Sequence, residues 1–238
     1  MTDDTGVSAA AETNASAPRK SAGRRRLVVL GVIFAVLVCA GIGGWIWHEQ
    51  PSFCNAFCHV PMDAYYATYT AELDLPTVDK YGNSVSDSAA MLAVTHRVEG
   101  EDCLACHVPT IGEMVSEGLS WVPGNYYFPL SERNLSDLTA ARKIDDDKFC
   151  LNDDCHHVAS DGSAIKTRDD LTAATAGLGF NVHDPHHDEY ACSDCHKAHR
   201  ASVNICSKPG CHSSAPLPEG WLSYPESLQI TMYLNDPE

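Results

Sequence analysis

Basic side chains are scarce in this sequence. Its 238 residues hold 16 lysines and arginines against 32 aspartates and glutamates, a formal net charge of −16. Five of the basic residues fall in the first 26 positions beside three acidic ones, leaving 11 basic and 29 acidic for the rest. That balance argues against a nucleic-acid partner, because phosphates must be met by cations. It suits encounter with a basic face on another protein, or a merely solvated surface. Long apolar runs are lacking as well, with one exception. Leu27 to Trp47 carries no charge over 21 residues, and about 20 suffice to cross a bilayer as a helix. The preceding RKSAGRRR, residues 19–26, is cationic, and such flanks stay in the cytoplasm. The reading is a disordered cytoplasmic tail over 1–26 and a single-pass anchor in the lipid bilayer of the cytoplasmic membrane over 27–47. Trp45 and Trp47 then sit at the outer interface, and everything from His48 onward is extracytoplasmic. A cleaved signal peptide competes, but the run exceeds a usual signal core and no small-x-small site follows it.

What the sequence has in excess is cysteine followed by histidine. Ten of 11 cysteines form five pairs, each followed at once by a histidine. The pairs are Cys54 and Cys58 with His59, Cys103 and Cys106 with His107, Cys150 and Cys155 with His156, Cys192 and Cys195 with His196, and Cys206 and Cys211 with His212. C-x-x-C-H is the attachment signature of c-type haem. Positions i, i+3 and i+4 share one helical face, so two thiols reach the porphyrin edge while the imidazole reaches the iron. Two motifs have this spacing; the other three, with three or four residues between the cysteines, must bulge their extra residues outward. Zinc needs four ligands and a disulfide framework needs no histidine, so neither explains five adjacent histidines.

Seven histidines lie outside the motifs. A surplus of that size suits iron with histidine on both faces. His96, His157, His183, His186, His187 and His199 are the candidate distal ligands, and Met62 is a candidate for the first haem. His199 lies three residues after His196 and His157 directly follows His156, so each should reach a neighbouring haem. Residues 48–238 are too few to surround five porphyrins with a side-chain core. The expected fold is mainly α with many loops and almost no sheet: a transmembrane helix, then a multihaem domain whose interior is stacked haems. Helices are predicted over Pro61–Leu73, Asp87–Val98, Ile111–Leu119 and Ser136–Lys148, with Ser136 as N-cap. Pro123, Gly124 and Pro129 punctuate the chain, dividing a dihaem lobe (48–125), a connecting segment (126–149) and a trihaem lobe (150–238).

The anchor followed closely by a motif, with CHVPM at 58–62 and THRVEGEDCLACHVP at 95–109, resembles the NapC/NirT/NrfH family of membrane-anchored cytochromes. HDPHHDEYACSDCHKAHRASVNIC at 183–206 is similar to the tetrahaem domain of flavocytochrome fumarate reductases. The first motif has one residue more than that anchored family's usual spacing, and five haems are written here where four are usual. The resemblance implies electron transfer from the membrane quinol pool to an exported reductase, a flavoprotein or a molybdoenzyme; the low potential of iron with histidine on both faces suits menaquinol. Quinol would be oxidised at the first haem, with Asp63, Glu72, Asp79 or Lys80 as proton acceptor. A multihaem reductase with its own substrate site is the alternative. Pentahaem nitrite reductases replace a motif histidine with lysine, and no C-x-x-C-K occurs here.

Overall fold

The computed structural model describes residues 22–57, 59–126, 132, 134–184, 186 and 190–230. The chain divides between Ile46 and Trp47 into two compact units. The first is built on α1, Ala22–His48. Its 27 residues rise about 1.5 Å each, more than a bilayer's hydrocarbon core requires. Its large apolar side chains are exposed along the whole helix, which fits a single-pass membrane anchor. Residues 1–21 of the expected tail lie outside the described residues; residues 22–26, assigned to it by composition, are instead the first turns of the helix.

The second unit strings short helices along loops: α2 (Pro51–Phe57), α3 (His59–Tyr69), α4 (Leu92–Val98), α5 (Cys103–Cys106) and α6 (Ile111–Trp121) come first. They are followed by α7 (Leu135–Thr139), α8 (Asp146–Cys150), α9 (Arg168–Ala174), α10 (Cys192–Cys195) and α11 (Tyr224–Ser227). Among the described residues, sheet is confined to two pairs of two-residue strands. β1 (Thr77–Val78) and β2 (Ser84–Val85) are antiparallel; β3 (Val203–Asn204) and β4 (Leu222–Ser223) are parallel.

Tertiary bonding shortens the helices relative to the sequence pattern. The predicted Pro61–Leu73 helix begins earlier and stops at Tyr69. Asp87 caps only a 3-10 turn over Ser88–Ala90, and Met91 is extended (φ −107°, ψ 122°) before α4 begins. That break buries Met91 completely. It also frees the backbone for distant partners: Leu92 N donates to Lys197 O at 2.9 Å, Ala93 N to Ala198 O at 3.0 Å, and Ser202 N to Ala90 O at 2.9 Å. The predicted helix over 136–148 is two helices. Asn134, not Ser136, caps α7, and Lys143 turns left-handed at φ 55°. The buried Thr139 hydroxyl lies 3.0 Å from both the Leu135 and Ile144 carbonyls, which pins the reversal. α6 runs two residues beyond its expected end and carries a capping box between Thr110 and Glu113.

The protein core is small. Val85, Ala90, Met91, Val94 and Ala201 form it, with Ala71, Leu73, Trp221 and Leu222 at its margin. Gly220 makes this packing possible: a Cβ there would meet Asp87 O at 2.6 Å, and its φ is +74°. Residues 197–204 thus thread between α4 and β4, tying the segment before the second motif to the segment after the fourth.

Candidate haem-binding sites

Four motifs close in the same way despite their different spacings. In the short motifs His107 N donates to Cys103 O at 2.8 Å, and His196 N to Cys192 O at 3.0 Å. In the long ones His156 N donates to Cys150 O, and His212 N to Cys206 O, both at 3.1 Å. The two extra residues are looped out. Asn152 makes the loop in one, its side chain accepting from Asp154 N at 2.8 Å; Gly210, at φ +84°, makes it in the other. The carbonyl of the first cysteine therefore meets the motif histidine in each case. Asp102 caps the second motif through Leu104 N and Ala105 N. Cys58, the His59 side chain and His187 lie outside the described residues, so the first motif is seen only through Cys54 in α2 and the backbone of α3.

Each of these four motif histidines faces one histidine from elsewhere. His107 and His199 have ring centres 6.3 Å apart. His183 and His196 are 6.4 Å apart with planes 2° from parallel. His96 and His156 are 5.9 Å apart, and His186 and His212 5.7 Å. With metal–nitrogen bonds of about 2 Å, two imidazoles on opposite sides of one iron have centres about 6.3 Å apart. Two pairs match that spacing closely and the others fall slightly short. No cluster of three or more His, Cys, Asp or Glu suited to a bare metal ion occurs among the described residues, and their cysteines are free thiols. The geometry fits haem rather than zinc or disulfide.

Hydrogen bonds set two of the distal rings for ligation. The Thr68 hydroxyl donates to Tyr65 O at 2.8 Å, so it accepts from His199 Nδ1, also at 2.8 Å. His96 Nδ1 donates to Leu92 O at 2.9 Å. Each ring then carries its proton on Nδ1 and presents a bare Nε2, the form a metal binds. His183 Nδ1 is buried with no hydrogen-bond partner among the described residues, a costly state for a ring whose partner the protein does not itself supply. Burial, then the neighbouring His107 and Lys80, presses His199 down to about 3. Burial, then His183, His156 and His96, presses His196 down to about 4. Burial also lowers His156 and His183, helped by His96 and Arg168 respectively. All four stay neutral near pH 7, as ligands must.

The cysteines of successive motifs are neighbours. Burial and then Cys54 raise Cys103 to about 11; burial and then Cys155 raise Cys106. The thiols of Cys150 and Cys192 are hydrogen-bonded, which raises the first. Burial raises Cys195, and Cys206 adds to it. The attachment points thus follow one another in motif order.

Other expectations come out differently. His157 faces no motif histidine among the described residues; its Nδ1 donates to Cys155 O at 3.0 Å, a local bond that turns the ring back on its own motif. Position 62 lies one turn after position 59 on α3, on the same helical face. Asp79 is committed to a turn, accepting from Tyr81 N, Asn83 N and Asn83 Nδ2. Lys80 lies over the Tyr65 and Tyr81 rings, where burial lowers it. Thr68, Trp221, with its ring centre 5.2 Å from that of His196, and Phe180, 5.3 Å from that of His212, are neighbours of the ligand pairs. Nothing local in the sequence marks Thr68, whose partner is 131 residues away.

These paired imidazoles on cysteine-bearing turns define a c-type cytochrome, an electron-transfer protein with covalently bound haem c. The Cytochrome c3 family matches residues 136–213, which hold the third, fourth and fifth motifs. The chain is 52% identical over 208 residues to the cytochrome c-type protein Cgr1 of Eggerthella lenta, covering 87% of this chain and 92% of that protein. It belongs to the same family of cytochrome c-type proteins as that relative. No solved structure matches the chain.

Proposed function

We propose that this cytochrome takes electrons from membrane quinol, menaquinol in particular, and delivers them to an exported reductase in anaerobic respiration. Five haems outside the cytoplasmic membrane serve this role, and a flavoprotein is the preferred acceptor, ahead of a molybdoenzyme. The observation that carries the reading is the set of four histidine pairs on an anchored chain. When bound, haem iron with imidazole on both faces supplies one-electron exchange and no open substrate position. His107 with His199, His156 with His96, His196 with His183 and His212 with His186 would hold four of the groups.

The protein's own contribution is order and ligand set. Thr68 and the Leu92 carbonyl orient the distal rings. Neighbouring cysteines keep the attachment points in sequence from the first motif to the fifth. The first motif begins seven residues past Trp47, which makes it the end nearest the quinol pool, and His59 or Met62 would serve its iron. The acidic surface suits a reductase with a basic docking face.

Vesicles carrying the full-length holoprotein and a menaquinol analogue test the assignment. Replacing His59 or Met62 should block haem reduction by quinol while dithionite still reduces the remaining haems. Replacing His212 should leave quinol reduction of the early haems intact and stop transfer onward. Normal quinol reduction in both the His59 and Met62 variants would place electron input elsewhere.

A further inference from the structure

We infer that the apolar face of α6 lies on the phospholipid bilayer, as a second, interfacial membrane contact beside the anchor. Ile111, Val115, Leu119 and Val122 recur at intervals of four, four and three, which sets them on one face. They are 77%, 57%, 70% and 77% exposed. Glu113, Ser116, Glu117 and Ser120 take the other side. Among the described residues, no other helix of the second unit exposes more than one large apolar side chain. A concentrated stripe of this kind marks an interaction surface.

The helix is held so that the stripe faces outward. Thr110 and Glu113 cap one another. Arg142 grips the segment before α6, donating to Val108 O at 2.8 Å and Pro109 O at 2.7 Å. The root of α6 is therefore tied to the body of the unit by polar bonds, and these leave the apolar stripe uncovered.

Several features choose lipid as the occupant. The unit is tethered to the bilayer where α1 ends at His48. The helices that follow it, α2 and α3, end at Tyr69, whose hydroxyl donates to Glu101 O at 3.0 Å just before α5, and α6 begins soon after α5. α6 thus grows from the part of the unit that the anchor enters. Phe57 and Val60, in that same part, are also exposed. Trp121 flanks the stripe at the end of α6 and Tyr126 follows soon after, aromatic types that favour the headgroup level. The 11 residues of α6 span only about 16 Å, too short to cross, so the helix lies flat. The stripe carries no charge, whereas a basic protein partner would be drawn to the acidic surface elsewhere. The contact rests on the anchor and not on the quinol reading. Where both hold, it brings the first two attachment sites to the headgroup level, within reach of a quinol that stays in the membrane.

The test uses full-length holoprotein in phosphatidylcholine vesicles doped with a phospholipid carrying a photoactivatable acyl chain. After irradiation, lipid adducts are mapped by proteolysis and mass spectrometry. Adducts are expected in α1 and on Ile111, Val115, Leu119 or Val122. The variant combining Val115→Asp with Leu119→Asp should lose at least about tenfold of the α6 adducts, with haem content and visible spectrum unchanged. Adducts confined to α1 would overturn the inference, whether the stripe is covered by the chain's own haem or by a second copy revealed by cross-linking between protomers. Quinol reduction measured in the same vesicles keeps the two readings apart: α6 adducts without quinol reduction would sink the proposed function alone.

Discussion

Replacing His199 with alanine should strip one haem of its distal ligand and leave the others as they are. The His199 ring lies 6.3 Å from His107, the separation of two imidazoles on one iron, and Thr68 holds it by a 2.8 Å bond to Nδ1. Alanine removes the whole ring and supplies no donor. The backbone of residue 199 keeps its bond from Lys80 N at 3.0 Å, so the local chain path survives. With five motifs in the sequence, one haem in five loses its sixth ligand, so about a fifth of the ferric iron should become high-spin. Integrated low-temperature electron paramagnetic resonance reads that fraction directly. Reduced variant should also bind carbon monoxide at a single haem. His157→Ala is the internal control: its ring bonds only to Cys155 O among the described residues, and its loss should change neither signal. The pairing is refuted if the His199 variant stays wholly low-spin, or if the His157 variant produces the high-spin fraction instead.

Thr68→Val removes the acceptor that holds Nδ1–H of His199. The ring then donates less charge to iron, so the potential of that haem should rise in a redox titration while the others hold. Gly220→Ala forces a Cβ to 2.6 Å from Asp87 O at φ +74°; overpacking and left-handed backbone together cost about 2–5 kcal/mol, and Tm should fall by at least about 4 °C. Acid should also weaken the fold. Burial holds the unliganded rings of His196 and His199 down to about 4 and 3 in the fold against about 6.5 when unfolded, so the unfolded chain binds more protons between those values. Their contribution is complete above about pH 6.5 and is lost as pH falls through about 4 to 3. A Tm that rose on acidification across that window would contradict the assignment.

The motifs and the anchor were legible because they are local. Cysteines and histidine within seven residues need only a turn to meet, and 21 uncharged residues need only a helix. Four of the histidines named as distal candidates face a motif histidine, but the sequence did not show which faces which. His96 and His199 were both chosen from the sequence, yet only the threading of residues 197–204 against α4 decides that His199 meets His107 and His96 meets His156. Those two pairs cross the line drawn near residue 125, because the chain folds back and distance along it is not distance in space. His157 faces no motif histidine among the described residues; its Nδ1 bonds to Cys155 O in its own motif, which geometry along the chain did not reveal. The helix over 136–148 was misread where the buried Thr139 hydroxyl imposes a reversal that periodicity does not record.

Whether all five cysteine pairs carry haem is read from the mass of the intact, denatured protein after thiol alkylation. The chain should be heavier by five haem groups and carry a single alkylated cysteine, Cys39, the one cysteine outside the motifs. A mass with four haem groups and three alkylated cysteines, two of them Cys54 and Cys58, would contradict it.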